Sequence, residues 1–555
     1  MEDRTVPMDT PAREPRRLTR RAAIRLGLFT AALPIAAACG AQTSAPAPAA
    51  TSAPAKPAEA TKPAAAAPAG SPAAGAASPA AASPAAAAAS PAAAKPGGSP
   101  AASTSAKPAA GIPEPKAPTF TNAPINGKLT VIQALDFHPD HNKLVEAKIR
   151  EFAEKQGYAL DHSYISAFAG TGNPIQKLVA SVQAGDAPDL VCHSGMQPAE
   201  LKDLEALDDV DSLMKEIIAE HGEPPKAFQL QSVLDGKWWS VPHFSRAGGW
   251  FVVDKHFAGS GIDPKKGFAT FDDLREAALK VSKPQQEVWG WGITANRSGD
   301  GITTVRQPVF AWGGQLVDET GQLVVLNKDP YRQHVIAAMN WLKETYTDPK
   351  FAAMLPPGVQ AWTDPSNNEA YLAGKLAITS NGGTMFAKAV VDNNPIADET
   401  YLIQNPKGMG PAGRVLQGAG DPMRWFIMKG AKNRQASEQL IKYLITPDVQ
   451  REMWKISPGY VYPAYQWGWD DPLLRDNKYA QRVTEQYRAA ANDPSGFYSG
   501  AWPGPPTPWV ASLESSNFWT DMFGEVLSGK SVEQAVKESH DKAVRVFKEF
   551  GAKGE

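Results

Sequence analysis

The sequence predicts an α/β fold arranged as two lobes. Three observations carry this. Strand-like and helical patterns alternate from residue 129 onward, and the body from about Gly127 to Phe550 is too long for one hydrophobic core. Everything before that body has a composition foreign to a packed domain.

The chain opens on a leader. Arg20-Arg21 precede an apolar run, residues 22–38, broken mainly by Arg25, and Cys39-Gly40 follow. Thr19-Arg20-Arg21-Ala22-Ala23-Ile24-Arg25 resembles a twin-arginine export signal. Ile35-Ala36-Ala37-Ala38-Cys39 resembles a bacterial lipobox, with Ala36 where Leu is usual. In such a box a peptidase cuts before a cysteine that carries a lipid. The core is shorter than the about 20 apolar residues a membrane span needs. Residues 1–38 are therefore expected to be removed as a signal peptide, with Cys39 lipidated and holding the protein to the cell membrane, on its periplasmic or outer side.

From Ala41 to about Thr119 the chain is almost entirely Ala, Pro, Ser, Thr, Gly and Lys, with no sizeable apolar side chain until Ile112. Such a segment buries too little surface to offset chain entropy, and its prolines keep the alanines from joining into a helix. Residues 39–119 are expected to form a disordered tether. The formal charge is −2 and Lys and Arg are scattered, so nothing points to nucleic acid and no such partner is expected. With Cys39 lipidated, Cys192 is the one remaining cysteine and no intramolecular disulfide is available.

In the body, residues 129–136 read as a strand. Leu144, Ala147, Lys148 and Phe152 mark a helix stopped by Gly157, and residues 159–165 read as a second strand. Residues 174–184 form a second helix with Ile175, Leu178, Val179 and Val182 on one face, and residues 189–192 a third strand. This βαβαβ order predicts a mostly parallel sheet, whose ligands bind beyond the carboxyl ends of its strands. That rule points to Asp136, Phe137 and His138 and to His193, Ser194 and Gly195. Further on, Asp235-Gly236 turns the chain, residues 237–241 are strand-like, Pro242 ends that strand, and Gly248-Gly249 loosens the backbone before a strand at 250–253.

Asp235-Gly236-Lys237, Trp238-Trp239, Val241-Pro242 and Asp254-Lys255-His256-Phe257 resemble a block of the family 1 extracellular solute-binding proteins, with Asp254 in place of the commoner Asn. Further blocks follow in register: Gly185-Asp186-Ala187-Pro188-Asp189-Leu190, Gly261-Ile262-Asp263-Pro264 with Thr270-Phe271-Asp272-Asp273-Leu274, and Phe310-Ala311-Trp312-Gly313-Gly314. Glu369-Ala370-Tyr371-Leu372-Ala373-Gly374-Lys375-Leu376-Ala377-Ile378, Leu444-Ile445-Thr446-Pro447-Asp448-Val449-Gln450 and Leu527-Ser528-Gly529-Lys530 complete the series.

The resemblance implies a two-lobed periplasmic-binding-protein fold, type II-like, with a ligand cleft between lobes that the chain crosses more than once. The crossings are placed near residues 242–247, near 417–422 and after about Tyr465. Lobe 1 then holds 124–243 plus 418–465, and lobe 2 holds 244–417 plus 466–553. The implied function is capture of a solute by lobe closure and its delivery to the membrane permease of an ABC transporter, by a monomer without cofactor.

The Trp-rich body favours a sugar, whose apolar faces stack on flat rings and whose hydroxyls need paired donors and acceptors. Trp250, Trp312, Trp362, Trp425, Tyr460 and Tyr462 are the aromatic candidates. Asp136, His138, His193, Ser194, His243, Ser245, Arg246, Asn381, Asp421 and Arg424 are the polar ones, the two arginines beside predicted crossings. His138-Pro139-Asp140-His141 has ligand-type residues at short spacing but too few for zinc, and no metal site is assigned. No HExxH helix, G-x-S-x-G elbow or Walker loop occurs, so no enzyme is expected. The alternatives are a tethered carbohydrate-active enzyme, or a receptor for a polyamine, metal or phosphodiester.

Overall fold

The computed structural model describes residues 112–167, 174–246, 248–416, 420–492 and 500–555. All described residues belong to one compact unit. The leader, Cys39 and most of the tether lie outside them.

Among the described residues, twelve strands form two main sheets and a hairpin. The first sheet contains β1 (Leu129–Leu135), β2 (Leu160–Ser166), β3 (Leu190–His193), β6 (Val241–Arg246), β11 (Gly420–Ile427) and β12 (Val461–Tyr462), in the order β12-β6-β11-β3-β1-β2. The second contains β7 (Gly249–Val253), β8 (Trp289–Trp291), β9 (Leu376–Asn381) and β10 (Thr400–Ile403), in the order β10-β7-β9-β8. We call each sheet with its covering helices a lobe. β1 pairs in parallel with β2 and β3, as the βαβαβ reading requires, through the helices Pro139–Gln156 and Pro174–Gln183. The remaining first-sheet pairings are antiparallel, so the sheet is mixed.

The region around Pro242 departs from expectation. Residues 237–241 are not one strand. β4 (Val233–Leu234) and β5 (Lys237–Trp238) make a short hairpin about Asp235-Gly236, both with φ near +50 to +75°, the geometry Asp-Gly turns favour. Pro242 then lies inside β6 rather than ending it. The register of β11 shifts between Met423 and Arg424, beside the Arg424–Pro242 pair, so the irregularity falls where proline has no N–H to offer. The Pro242 carbonyl accepts from the Tyr465 hydroxyl at 2.8 Å.

Period-two alternation divides the cores. In β7, Phe251 and Val253 join an apolar cluster continuous with the first lobe, whereas Trp250 and Val252 face the second lobe's own core of Phe271, Phe310 and Trp519. The other face of the first sheet is covered through Ile175, Leu178, Val191, Leu201 and Phe426. The chain leaves the first sheet at Arg246 and enters the second at Gly249, returns at Gly420, and after β12 runs on to the helix Lys478–Asn492. No helix among the described residues is long and apolar enough to cross a membrane.

Candidate functional site

The carboxyl end of β1 delivers Asp136. Its backbone is fixed by Asn142, whose Oδ1 accepts from the Asp136 N–H at 3.0 Å and whose Nδ2 donates to the Asp136 carbonyl at 2.7 Å. Asp136 Oδ1 accepts from the Phe137 N–H at 2.7 Å, and Oδ2 accepts from the Tyr460 hydroxyl. Burial and the adjacent Asp136 carboxylate hold the Tyr460 phenol well above its ordinary range, while Arg246 pulls the other way. The Arg246 charge, at the end of β6, also acts on His193 and on Asp300.

Asp300 belongs to the second lobe, in the first turn of the helix Gly299–Ala311. Its Oδ2 accepts from Asn367 Nδ2 at 2.9 Å and from Asn381 Nδ2 at 3.3 Å. Asn381, at the end of β9, donates further to Asn368 Oδ1. Asp364 carboxylate oxygens accept from the N–H groups of Gly299 and Asp300 at 3.2 and 3.0 Å. Burial first, and the Asp364 charge second, raise the Asp300 carboxyl well above the usual carboxylate range. The buried Asn367 Oδ1 has no hydrogen-bond partner. Arg246 thus acts electrostatically on groups of both lobes: on Tyr460, which is bonded to Asp136, in the first, and on Asp300, held by Asn367 and Asn381, in the second.

Asp300 and Asn367 escaped the sequence reading. A signal was present, because Ser298-Gly299-Asp300-Gly301 is a loop-to-helix start. Ser298 Oγ accepts from the Gly301 N–H at 2.9 Å, and a Cβ on Gly301 would lie 1.8 Å from the Asn296 carbonyl oxygen.

The other expected residues are placed less openly. His193 accepts from the Gly195 N–H at Nδ1 (2.9 Å), so its Nε2 donates to the Ser166 carbonyl at 3.2 Å. Burial lowers its pKa to about 4, and both ring nitrogens are already engaged within the first lobe. His138 donates through Nε2 to the Ile456 carbonyl at 2.8 Å, burial being the main cause of its lowered pKa. His243 packs between Phe244 and Trp425, and burial drives its pKa down to about 3. Ser245 donates to the Pro463 carbonyl at 3.1 Å, and Ser194 is buried. Arg424 is fully buried and donates to Gln231 Oε1 at 2.8 Å and to the Pro422 carbonyl at 3.4 Å. Asp421 lies in β11.

The tryptophans divide. Trp250, 2% exposed, packs against Phe271 and Trp291; Trp312, 4% exposed, packs against Phe271 and Trp341. Trp425 is buried against His243. Trp250 and Trp425 sit in cores because β7 and β11 are central strands flanked on both sides, and residues there are buried whichever face they take, whereas Trp312 is buried at the end of the helix Gly299–Ala311. Trp362 is half-buried and touches the apolar residues of both large clusters. Tyr462 stacks on Tyr487 with ring centroids 4.6 Å apart and donates to the Ala480 carbonyl.

Two mixed sheets, each sending polar groups from strand ends toward Arg246, define a binding protein of the two-lobed type. The profile of the bacterial extracellular solute-binding proteins matches residues 141–451, and the chain belongs to that family. Among solved structures, it resembles an ABC transporter solute-binding protein from Thermotoga lettingae TMO bound with α-D-tagatose. That match has 16% identity, covers 76% of this chain and 100% of the other, and has a TM-score of 0.63. Maltose-bound T. maritima MalE3 matches at 18% identity, covering 75% and 99%, with a TM-score of 0.61. A sugar transporter from Arthrobacter chlorophenolicus A6 with bound laminaribiose matches at 14% identity, covering 76% and 99%, with a TM-score of 0.62. No curated protein matches.

Proposed function

We propose that the protein is the extracytoplasmic receptor of an ABC importer, capturing a sugar or oligosaccharide between its lobes and presenting it to a membrane permease. The observation that carries this reading is the polar ring about Arg246, to which both lobes contribute. A ligand touching both lobes favours the closed form. Asp136, Asp300 and Asn381 supply acceptors and donors of the kind hydroxyl pairs require, Arg246 supplies a fork of donors, and Trp362 supplies a flat apolar face. The sugars bound in the similar structures support the cargo class. The protein acts by binding, without catalysing a reaction. It is exported with residues 1–38 removed and works as a monomer held by a lipid at Cys39. Its lobes divide as 124–243 plus 418–465 and 244–417 plus 466–553.

A thermal-shift screen of the protein against mono- to tetrasaccharides, uronates, polyamines and metal ions tests the reading. A sugar at about 100 times its Kd should stabilise the fold by roughly 2.7 kcal/mol, which such a screen detects. A shift with non-sugars alone overturns the cargo class. Turnover of a glycan, abolished by one carboxylate substitution, overturns the receptor reading.

A further inference from the structure

The lobes also meet away from the polar ring. The helix Pro508–Ser515 is part of the second lobe. It packs on the helices Phe518–Leu527 and Val532–Glu549, Trp509 stacks near Phe547, and Glu514 pairs with Arg306 of the helix Gly299–Ala311. Its other side lies on the helix Pro198–Asp203 of the first lobe, whose Leu201 is seated in the core with Val191 and Phe426. At this contact Ser515 donates to Glu200 Oε1 at 3.2 Å. Glu200 is 3% exposed, and its Oε2 is buried with no hydrogen-bond partner.

We propose that Glu200 and Ser515 form a proton-operated latch between the lobes: closing the cleft places a proton on Glu200, so acidification favours the closed form and alkalinity favours opening. This rests on the reading that the lobes part and close about a solute. The charged groups around the contact do not relieve Glu200. On its own helix Lys202 pairs with Asp235, and Asp203 adds negative charge. The facing helix brings Glu514, already held by Arg306, and the helix Lys226–Ser232, packed on the other side, brings Lys226. Among the described residues no cation pairs with Glu200. A buried carboxylate with one hydroxyl donor and no cation is costly, and a neutral carboxyl is not.

The direction follows from linkage. Burial raises the Glu200 carboxyl to about 7 where the two helices are in contact, against the bond from Ser515, which lowers it. In the proposed latch this contact is a feature of the closed form. An opened interface returns it to the ordinary range near 4.3. The closed form therefore holds more protons between about pH 4.3 and 7, and the closed-to-open ratio falls by up to tenfold per pH unit as pH rises through that window. Exposure of His138 or His193 on opening would act with the opposite sign, since both are held low in the closed form. The comparison of wild type with Glu200→Gln isolates the contribution of Glu200.

The test is a ligand-free distance measurement between spin labels at Lys143→Cys and Lys280→Cys in the full chain carrying Cys39→Ser, Cys192 being buried. Between about pH 8 and about pH 5, the closed-to-open ratio of wild type should gain roughly 80-fold over that of Glu200→Gln. Ser515→Ala should move the wild-type transition to higher pH. Matching pH responses in wild type and Glu200→Gln overturn the latch. Should Glu200→Gln fail to fold, an unmoved transition in Ser515→Ala overturns it instead. Because no solute is present, a silent sugar screen and a silent latch are separate outcomes.

Discussion

Tyr460 donates its phenolic proton to Asp136 Oδ2, tying the turn before β12 to the end of β1 although the two residues are 324 positions apart. Tyr460→Phe would leave that oxygen buried without its donor. We expect a loss of about 1–3 kcal/mol in stability, with solute affinity falling by roughly tenfold because Asp136 loses its orientation. Chemical denaturation and calorimetric titration with the sugar found by screening measure the two effects.

The second-lobe half of the ring depends on backbone shape. Gly301→Ala would drive a methyl group into the Asn296 carbonyl and displace Asp300. It should cost about 1–3 kcal/mol of stability and weaken binding. Thr270→Ala is the control. It removes the capping box formed with Asp273, which should cost about 1 kcal/mol while leaving affinity unchanged.

The tryptophans should separate by readout. Trp312→Ala empties a core site between Phe271 and Trp341 and should cost about 3–5 kcal/mol in denaturant unfolding. Trp362→Ala should lower solute affinity by at least fivefold with a much smaller shift in Tm, about 3 °C or less. Equal affinity for Trp362→Ala and wild type would remove this ring from the site.

Acid should weaken the fold. Burial lowers His141 and His193 to about 4 and His243 to about 3. In the unfolded chain each takes a proton near 6.5, so the stability they confer is complete above that value and is lost as pH falls toward 4. Each contributes a slope of up to about 1.4 kcal/mol per pH unit, and Glu200, raised to about 7, opposes them with a single proton. Denaturant midpoints at about pH 7 and pH 5 should show a net loss, and His243→Leu should shallow the slope by about one proton's worth.

The βαβαβ opening was legible because hydrophobic periodicity and helix stops are local. The first strand, the Gly157 stop and the third strand fall within a residue or two of their expected places. Pro242 misled because a strand tolerates proline where the partner's register slips, and that slip lies on β11, far away in sequence. Asp136 was reachable from the strand-end rule and Arg246 from its place beside a predicted crossing. Asp300 was not, since its role comes from Asn367 and Asn381 converging on it from other elements. Trp250 and Trp312 show the converse: a tryptophan near a strand end reads alike whether it faces a cleft or a core.

The helix Lys478–Asn492 leans on both lobes, touching the helix Lys226–Ser232 of the first and β10 of the second. Its Arg482 guanidinium donates to the carbonyls of Ala397, Asp398 and Thr400, at 2.7, 2.7 and 3.2 Å, and lies over the Tyr401 ring. A three-point grip on backbone is hard to break, whereas helix against helix can slide. When the halves swing apart, this helix should travel as cargo of the second, and the slip plane should run along Lys226–Ser232. Friction there, rather than at the strand crossings, would then set how fast the jaws reopen.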